Sequence, residues 1–165
     1  MATTRRASWT LALALALAAC APMSQDAAQK ALDAGRLDEA AADVQTALQH
    51  DPDNLQLKQL AADIYTRRGV QYYNDGQMLA AADDFNRATA YYPTYSRAYD
   101  YLGMLAFQQH NWQDAINYGS QAAELDGRPD PGYVEQARKE LLKVQSGGIK
   151  PYKPVRKRAQ SSGSP

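Results

Sequence analysis

The chain has 165 residues, enough for one ordinary domain with one modest core. Its single cysteine excludes a disulfide within one chain, and its eighteen Lys and Arg residues balance eighteen Asp and Glu residues. Alanine, leucine, glutamine and tyrosine dominate between Asp26 and Gln145, while valine and isoleucine are scarce. Because unbranched side chains lose little rotamer freedom in helices, the composition predicts an all-α protein.

The charges are unevenly distributed along the chain. Arg5 and Arg6 lie near the N-terminus, and five of the other sixteen bases fall in the last sixteen residues, namely Lys150, Lys153, Arg156, Lys157 and Arg158. The body between them has eleven bases and eighteen acids, a net charge of −7. A mildly acidic body therefore precedes a basic tail.

The N-terminus has the pattern of an export signal. Arg5 and Arg6 precede an eleven-residue apolar run, Trp9 to Ala19, which is too short to cross about 30 Å of hydrocarbon as a helix. The run ends in Leu17-Ala18-Ala19-Cys20, which resembles the lipobox of bacterial lipoproteins. The resemblance implies that residues 1–19 are a signal peptide and that Cys20, carrying diacylglycerol and an N-acyl chain, is the first mature residue. These chains bind membranes far more tightly than one acyl chain does.

An ordinary secreted protein is the alternative, since Ala19-Cys20-Ala21 also fits the small-x-small rule of the general signal peptidase. Pro22 would then directly follow the cut, a position that this peptidase handles badly, and the unpaired cysteine would lack a reason. Lipidation of Cys20 removes both objections. By resemblance to lipoproteins of Gram-negative bacteria, Ala21 in place of aspartate implies an outer-membrane anchor, with the protein facing the periplasm.

Three segments of the body repeat one spacing of small residues. A turn residue is followed five residues later by one alanine and twelve residues later by another, giving Gly35, Ala40 and Ala47, then Gly76, Ala81 and Ala88, then His110, Ala115 and Ala122. Pro52 and Pro93 close the first two blocks at the same offset. A fixed internal period of this kind is the sequence signature of a repeat architecture.

The pattern resembles the tetratricopeptide repeat (TPR) family. The matching positions are Tyr65, Gly69, Tyr72, Gly76, Ala81, Phe85, Ala88 and Pro93 in residues 62–95, and Tyr99, Leu102, Gly103, Ala115 and Ala122 in residues 96–129. Residues 21–54 match less well and are interpreted as an atypical terminal repeat, with a first helix at about 24–34. The resemblance implies a short right-handed solenoid of antiparallel helix pairs, with about three repeats in residues 20–129.

Several positions depart from the repeat pattern. Seven extra residues, Leu55 to Ala61, precede the second repeat and are expected to lengthen its first helix by two turns. In the third repeat Gly119 replaces an expected aromatic residue, and His110 replaces the turn glycine. These departures affect the expected helix boundaries and leave the fold prediction unchanged.

After the repeats, residues 130–145 are predicted to form a capping helix. Asp130 is a good N-cap and Pro131 a good first helical residue. The expected apolar stripe, which would cover the open end of the stack, consists of Tyr133, Ala137, Leu141 and Val144. Residues 146–165 are rich in glycine, serine, proline and bases, a composition typical of a flexible, disordered tail.

In the TPR family the first helix of each repeat lines a concave groove, so the resemblance implies a peptide-binding or protein-binding surface. Carried over position by position, it comprises Asp63, Thr66, Val70, Tyr73, Asn74, Arg97, Asp100, Met104, Phe107 and Gln108. Aromatic anchors in such a groove give affinity, and polar groups fix the register of a bound peptide. The alternative is that some of these rings pack against the capping helix or a neighbouring turn.

Few residues in the sequence indicate a metal site, a cofactor site or a catalytic site. His50 and His110 lie far apart with no second cysteine, so no metal site is expected, and no nucleotide-binding or nucleophile motif is present. We therefore expect neither a cofactor nor enzyme activity. The bases of the tail, from Lys150 to Arg158, are suited to contact with a polyanion such as lipid headgroups or cell-wall polymer, or with an acidic partner. The alternative is that they only make this end of the chain more soluble. Nucleic acid is not expected as a ligand of an exported protein.

Two functions fit these features. The first is an envelope adaptor that assists the assembly of a pilus or secretion system, with a partner peptide in the groove. The second is an accessory regulator of a cell-wall or polysaccharide-synthesising enzyme, in which the tail contacts polymer. Deletion of the tail separates them, because only the second function requires it.

Overall fold

The computed structural model describes residues 20–147, which contain seven helices and no strand in that range. The helices are α1 (Cys20–Asp33), α2 (Leu37–His50), α3 (Leu55–Asn74), α4 (Met78–Tyr91), α5 (Ser96–Gln108), α6 (Trp112–Asp126) and α7 (Gly132–Gln145). The predicted signal peptide, the tail after Gly147 with its five bases, and the side chain of Cys20 lie outside the described residues. No helix within residues 20–147 is both long and apolar enough to cross a membrane.

Consecutive helices pack against one another in order along the chain. The closest packing lies within three pairs, α1 with α2, α3 with α4, and α5 with α6, while α7 packs on α6 and more lightly on α5. First helices of successive pairs also touch, since α3 contacts both α1 and α5. The prediction of an all-α, TPR-like solenoid of antiparallel helix pairs ending in a capping helix is therefore confirmed.

The turn inside each pair has the same backbone conformation. Gly35 and Gly76 adopt positive φ values of 72° and 76°, in the left-handed region that glycine enters without steric cost. His110, which occupies the equivalent place in the third pair, adopts a φ of 59°. The repeating glycine in the sequence thus marks a left-handed helix end, and His110 takes the same conformation at some cost in strain.

Alanines at the repeating positions form the crossing points of the helices. Ala40, Ala81 and Ala115 near the start of the second helices have no exposed surface, and the alanines seven residues later are equally buried. Larger side chains would separate the helices, so the spacing read in the sequence is a packing requirement.

Helix α3 has 20 residues, whereas the other helices have 13 to 15. The extra residues Leu55–Ala61 form its first two turns, and Asn54 caps them by accepting hydrogen bonds from the backbone amides of Gln56 and Leu57 at 3.0 and 3.1 Å. The buried Leu57 belongs to the apolar cluster against which the half-buried rings of Tyr91, Tyr92 and Tyr95 pack. The extra turns of α3 therefore contribute to the core that these tyrosines cover.

Helix α7 begins later than the sequence predicted. Pro131 is the N-cap, without a side-chain capping bond, and Asp130 instead accepts hydrogen bonds from Ser120 and Arg138. The predicted stripe was also partly wrong, because Val134 is fully buried whereas Val144 is 44% exposed. The stripe is shifted because α7 inserts Val134 against Gly119.

The glycines of α5 and α6 explain this insertion. A Cβ atom on Gly119 would overlap Val134 Cγ2 and lie 2.7 Å from Tyr133 Oη, and one on Gly103 would lie 3.2 Å from Tyr133 Cε2. Gly119, which departs from the repeat pattern, therefore makes room for α7.

The first helix, α1, begins at Cys20 instead of about Ser24 and ends at Asp33, so it includes the residue predicted to carry the lipid.

Candidate protein-binding groove

The predicted groove residues lie on α3 and α5, the adjacent first helices of the second and third pairs. A depression of about 240 Å³ in this surface is lined by Arg97, Asp100, Tyr101 and Met104. It combines a thioether and a phenol ring with one exposed guanidinium and one carboxylate. These groups are suited to one apolar side chain of a ligand and to polar main-chain atoms beside it.

A second group of predicted residues bridges the two helices directly. The side-chain amide of Gln108 donates a hydrogen bond to the Tyr73 hydroxyl, joining the ends of α5 and α3. The Tyr73 ring lies 6.4 Å from that of Tyr101, measured between centroids, and Val70 packs in the same apolar cluster. Since these side chains are held by their neighbours, this part of the surface loses little conformational entropy when a ligand binds.

Asp100 is held by residues outside α3 and α5. The Tyr133 hydroxyl of α7 donates hydrogen bonds to Asp100 Oδ1 at 2.9 Å and to its backbone carbonyl at 3.2 Å, and Arg128 Nη2 donates to Oδ2 at 3.1 Å. Burial and the hydrogen bond to Asp100 both raise the pKa of Tyr133 well above its usual range. Asp100 therefore connects the groove to the capping helix and is not a freely available acceptor.

Asp63 is also engaged within the protein, at a distance along α3 from the depression. It accepts a hydrogen bond from the Tyr95 hydroxyl at 2.9 Å and pairs with Arg67 at 2.9 Å. Burial, followed by the hydrogen bond to Asp63, raises the pKa of Tyr95 to about 12. This part of the predicted surface is a polar network between α3 and the start of α5.

Thr66 is not available for contact, and the half-buried Phe107 is engaged in packing. Thr66 has no exposed surface, and its hydroxyl has no hydrogen-bond partner among the described residues, so its assignment to the groove surface was wrong. Its position on α3 turns it into the core, because the buried face of this helix is wider than the repeat pattern implies. Phe107 packs edge-on against Trp112 at 5.4 Å and lies 6.0 Å from Tyr133, measured between ring centroids, as the packing alternative expected.

Of the remaining predictions, Asn74 and Gln108 are exposed at the last residues of α3 and α5, and Arg97 is exposed in the first turn of α5. The structure thus brings Arg97, Asp100 and Met104 into one depression, and Tyr73 next to Gln108. Asp63 and Phe107 lie in separate packing networks on either side.

The assignment of groove positions missed Tyr101 and Tyr133. Tyr101 lines the depression and stacks on Phe85, with ring centroids 5.0 Å apart. A helix face covers roughly 100°, so the neighbour of a groove residue such as Asp100 lies at the margin of the same face. Tyr133 lies on a different helix, and no spacing rule connects it to Asp100.

No group of three or more His, Cys, Asp or Glu side chains suitable for a metal ion is found in the part of the chain that the structure describes. His50 is exposed at the end of α2, and His110 is exposed in the turn between α5 and α6. The prediction that no metal or cofactor binds remains a prediction.

No protein-family model and no curated protein sequence matches the chain. Solved structures with a similar helical arrangement include the Sgt2 TPR domain from Aspergillus fumigatus, 21% identical over 86% of this chain and 92% of that chain, with a TM-score of 0.45. The first TPR of Spaghetti (RPAP3) bound to the HSP90 peptide SRMEEVD is 21% identical over 76% and 93% of the two chains, with a TM-score of 0.45. The MamA protein is 18% identical over 82% and 97%, with a TM-score of 0.40. The fold class itself rests on the seven helices and their packing.

Proposed function

We propose that this chain is a lipid-anchored adaptor of the bacterial envelope that binds a partner protein through the surface of α3 and α5. The observation that carries this proposal is the depression lined by Arg97, Asp100, Tyr101 and Met104, continuous along α5 with the Tyr73–Gln108 bridge. The combination offers apolar anchoring next to polar groups, as recognition of a protein segment requires.

The shape of the surface favours a protein segment over a small molecule. Pockets for small ligands usually enclose most of the ligand and have about 300–1,000 Å³ of volume. The depression holds about 240 Å³ and is only one part of a longer surface. A segment that lays several side chains along α3 and α5 gains contact area that a small ligand cannot obtain there.

The proposed anchor rests on the sequence Leu17-Ala18-Ala19-Cys20 and the preceding apolar run. Acylation of Cys20 would place the lipid at the first residue of α1, with no linker between the anchor and the helical stack. In this proposal the adaptor is held at the outer membrane, faces the periplasm, and serves the assembly of an envelope machine such as a pilus or secretion system. Its role is binding, without catalysis.

Site-specific crosslinking in cells tests the binding surface. A photo-crosslinking amino acid at Met104, inside the depression, is expected to give a discrete crosslinked product with an envelope protein. The same amino acid at Gln121, exposed on α6, is the matched control and is expected to give none. Equal products at both positions, or products at neither, would contradict the groove as the binding surface.

Metabolic labelling tests the anchor separately. In a Gram-negative host, a clickable palmitate analogue is expected to label the wild type and not the Cys20→Ala variant, and only the wild type should fractionate with the outer membrane. An unlabelled wild type that is released freely from the periplasm would overturn the lipoprotein proposal. That result would leave the groove proposal standing, because Met104 crosslinking does not depend on the anchor.

A further inference from the structure

A second depression lies where α2, the loop after it and the end of α4 meet the extended start of α3. It holds about 310 Å³ and is lined by Gln45, Leu48, Gln49, Pro52, Lys58 and Tyr91. None of these residues belongs to the groove of α3 and α5. Lys58 comes from the extra turns of α3, so one wall of this depression exists because that helix is longer than the others.

The walls of this depression are fixed in place. Asn54 caps the start of α3 and donates its side-chain amide to Asp51 at 2.9 Å, which holds the loop containing Pro52. The Tyr91 ring stacks on the buried Tyr65 ring with centroids 5.6 Å apart. A ligand therefore meets a preformed surface, which lowers the entropic cost of binding.

The floor is apolar and the rim is cationic. Leu48, Pro52 and Tyr91 supply the apolar atoms. At the rim, the Lys58 ammonium lies 3.4 Å from the carboxylate of Asp53, whose side chain is 98% exposed and gives a weak, solvent-screened pair.

Arg87 adds a second positive charge on α4, one turn before Tyr91. Its guanidinium lies 5.7 Å from the centre of the Tyr65 ring and has no ion-pair partner within residues 25–147. Its charge acts to lower the pKa of Tyr91, although burial raises that pKa further, so the hydroxyl stays protonated at neutral pH. Lys58 thus lines the depression directly. Arg87 is not one of its lining residues but lies close enough to act on Tyr91, which also hydrogen-bonds with Tyr65. Both cations stand out in a body of net charge −7.

We propose that this depression is a second protein-binding site, which takes a segment carrying an Asp or Glu next to a leucine, methionine or aromatic residue. The apolar side chain would cover Leu48 and Tyr91, and the carboxylate would pair with Lys58, with Arg87 adding a longer-range attraction. A volume of about 310 Å³ accommodates one or two side chains, which fits a short segment of a partner. With the groove on α3 and α5, the chain would then connect two partners through two separate surfaces.

Charge argues against the chain's own tail as the occupant. The segment from Lys150 to Arg158 contains five bases and no acid, so Lys58 and Arg87 would repel it. An anionic lipid headgroup has the same sign of charge as a carboxylate, and the vesicle experiment below tests it as the alternative ligand.

Peptide selection tests the proposal independently of the groove. The probe is a phage-displayed library of random dodecapeptides, selected on the purified full chain in detergent with Met104→Arg blocking the groove. We expect enrichment of sequences with an acid adjacent to an apolar residue. A synthetic peptide of the enriched sequence should lose at least tenfold in affinity on the double substitution Lys58→Glu and Arg87→Glu.

Two controls make the result specific. The double substitution Lys139→Glu and Lys143→Glu changes the net charge equally on α7 and should leave the affinity unchanged. Gln49→Trp fills the depression without a charge change and should also abolish binding, which keeps the test valid if the charge reversal disturbs folding. The absence of such a motif among selected peptides, or equal losses in the α7 control, would overturn the proposal.

Binding to vesicles tests whether an anionic lipid, instead of a protein segment, occupies the depression. The Cys20→Ala chain should not bind vesicles of phosphatidylglycerol through this site. If it binds them, and binding is lost on Lys58→Glu and Arg87→Glu while no peptide is selected, the depression takes lipid and the protein-binding proposal fails.

Discussion

At the scale of single residues, glycine positions show most directly how the chain accommodates its capping helix. Gly119→Ala would place a Cβ against Val134 and Tyr133, and overpacking of this kind costs about 1–3 kcal/mol. We expect the free energy of unfolding, measured with urea, to fall by that amount. Gly132→Ala at the start of α7 is the control, because a Cβ there meets no atom within 4 Å and alanine favours the helix, so this change should not lower the free energy of unfolding. Equal effects of the two substitutions would show that α7 does not pack on Gly119 as described.

Substitution of His110 is expected to have the opposite effect on stability. Its φ of 59° places it where the other two pairs have glycine, and the left-handed conformation costs a residue with a Cβ about 1–2 kcal/mol. The edge-on contact of its ring with Trp112, at 4.9 Å between centroids, offsets part of this strain. We expect His110→Gly to raise the free energy of unfolding by about 0.5–1 kcal/mol. His50→Gly, in the last turn of α2, should lower it, because glycine weakens a helical position.

The features that could be predicted from the sequence are those that depend only on local backbone conformation or on spacing along a helix. The turn glycines, the buried alanines and the extra turns of α3 all follow from backbone conformation or helix spacing, which a repeat displays directly. The sequence did not predict that Thr66 is buried or that Tyr133 reaches Asp100, since both depend on how a separate helix is placed. Residues that meet across helices without a fixed spacing have no signature in one sequence.

At the scale of helices, one buried ion pair joins α3 to α4, and its arginine also contacts α2 of the first pair. Arg68 on α3 donates to Asp84 on α4 through Nε at 2.7 Å and Nη2 at 2.8 Å, and reaches Asp38 on α2 at 3.1 Å. The Asp84 side chain is 4% exposed and that of Arg68 is 17% exposed. The hydrogen bond to Asp84 raises the pKa of Arg68 further above its already high value. No spacing in the sequence indicated this contact between three helices.

Neutralising Asp84 leaves the Arg68 guanidinium with Asp38, an exposed carboxylate, as its only remaining charged partner among the described residues. Because breaking a buried pair usually costs about 3–5 kcal/mol, and Asp38 still contacts Arg68, we expect Asp84→Asn to lower the free energy of unfolding by about 3 kcal/mol. Asp83→Asn, at the exposed neighbouring position, should change it by less than about 0.5 kcal/mol. Urea unfolding followed by circular dichroism measures both. Similar small values for the two variants would mean that the ion pair contributes little to holding α2, α3 and α4 together.

At the scale of the whole molecule, the partly buried tyrosines between the helix pairs make stability depend on alkaline pH. Burial raises the pKa of Tyr95, Tyr91 and Tyr133 above the ordinary value of about 10, and Tyr95 also donates a hydrogen bond to Asp63. The folded chain therefore keeps these protons to higher pH than the unfolded chain. Their contribution to stability is complete below about pH 10 and is lost as the pH rises further.

For Tyr95 the pH range of this loss of stability can be specified, because its pKa in the folded chain is about 12. Stability should fall between about pH 10 and pH 12, and Tyr95→Phe should make that fall shallower. The difference should reach about 1–2 kcal/mol, less than two full pKa units would give, because the ring is only half buried. Urea unfolding at pH 9, 10 and 11 tests this. Tyr92→Phe is the control: hydrogen bonding lowers the pKa of Tyr92, so its loss should not make the fall shallower. If Tyr95→Phe follows the wild-type curve, the bond between Tyr95 and Asp63 does not couple α3 to the start of α5 in solution.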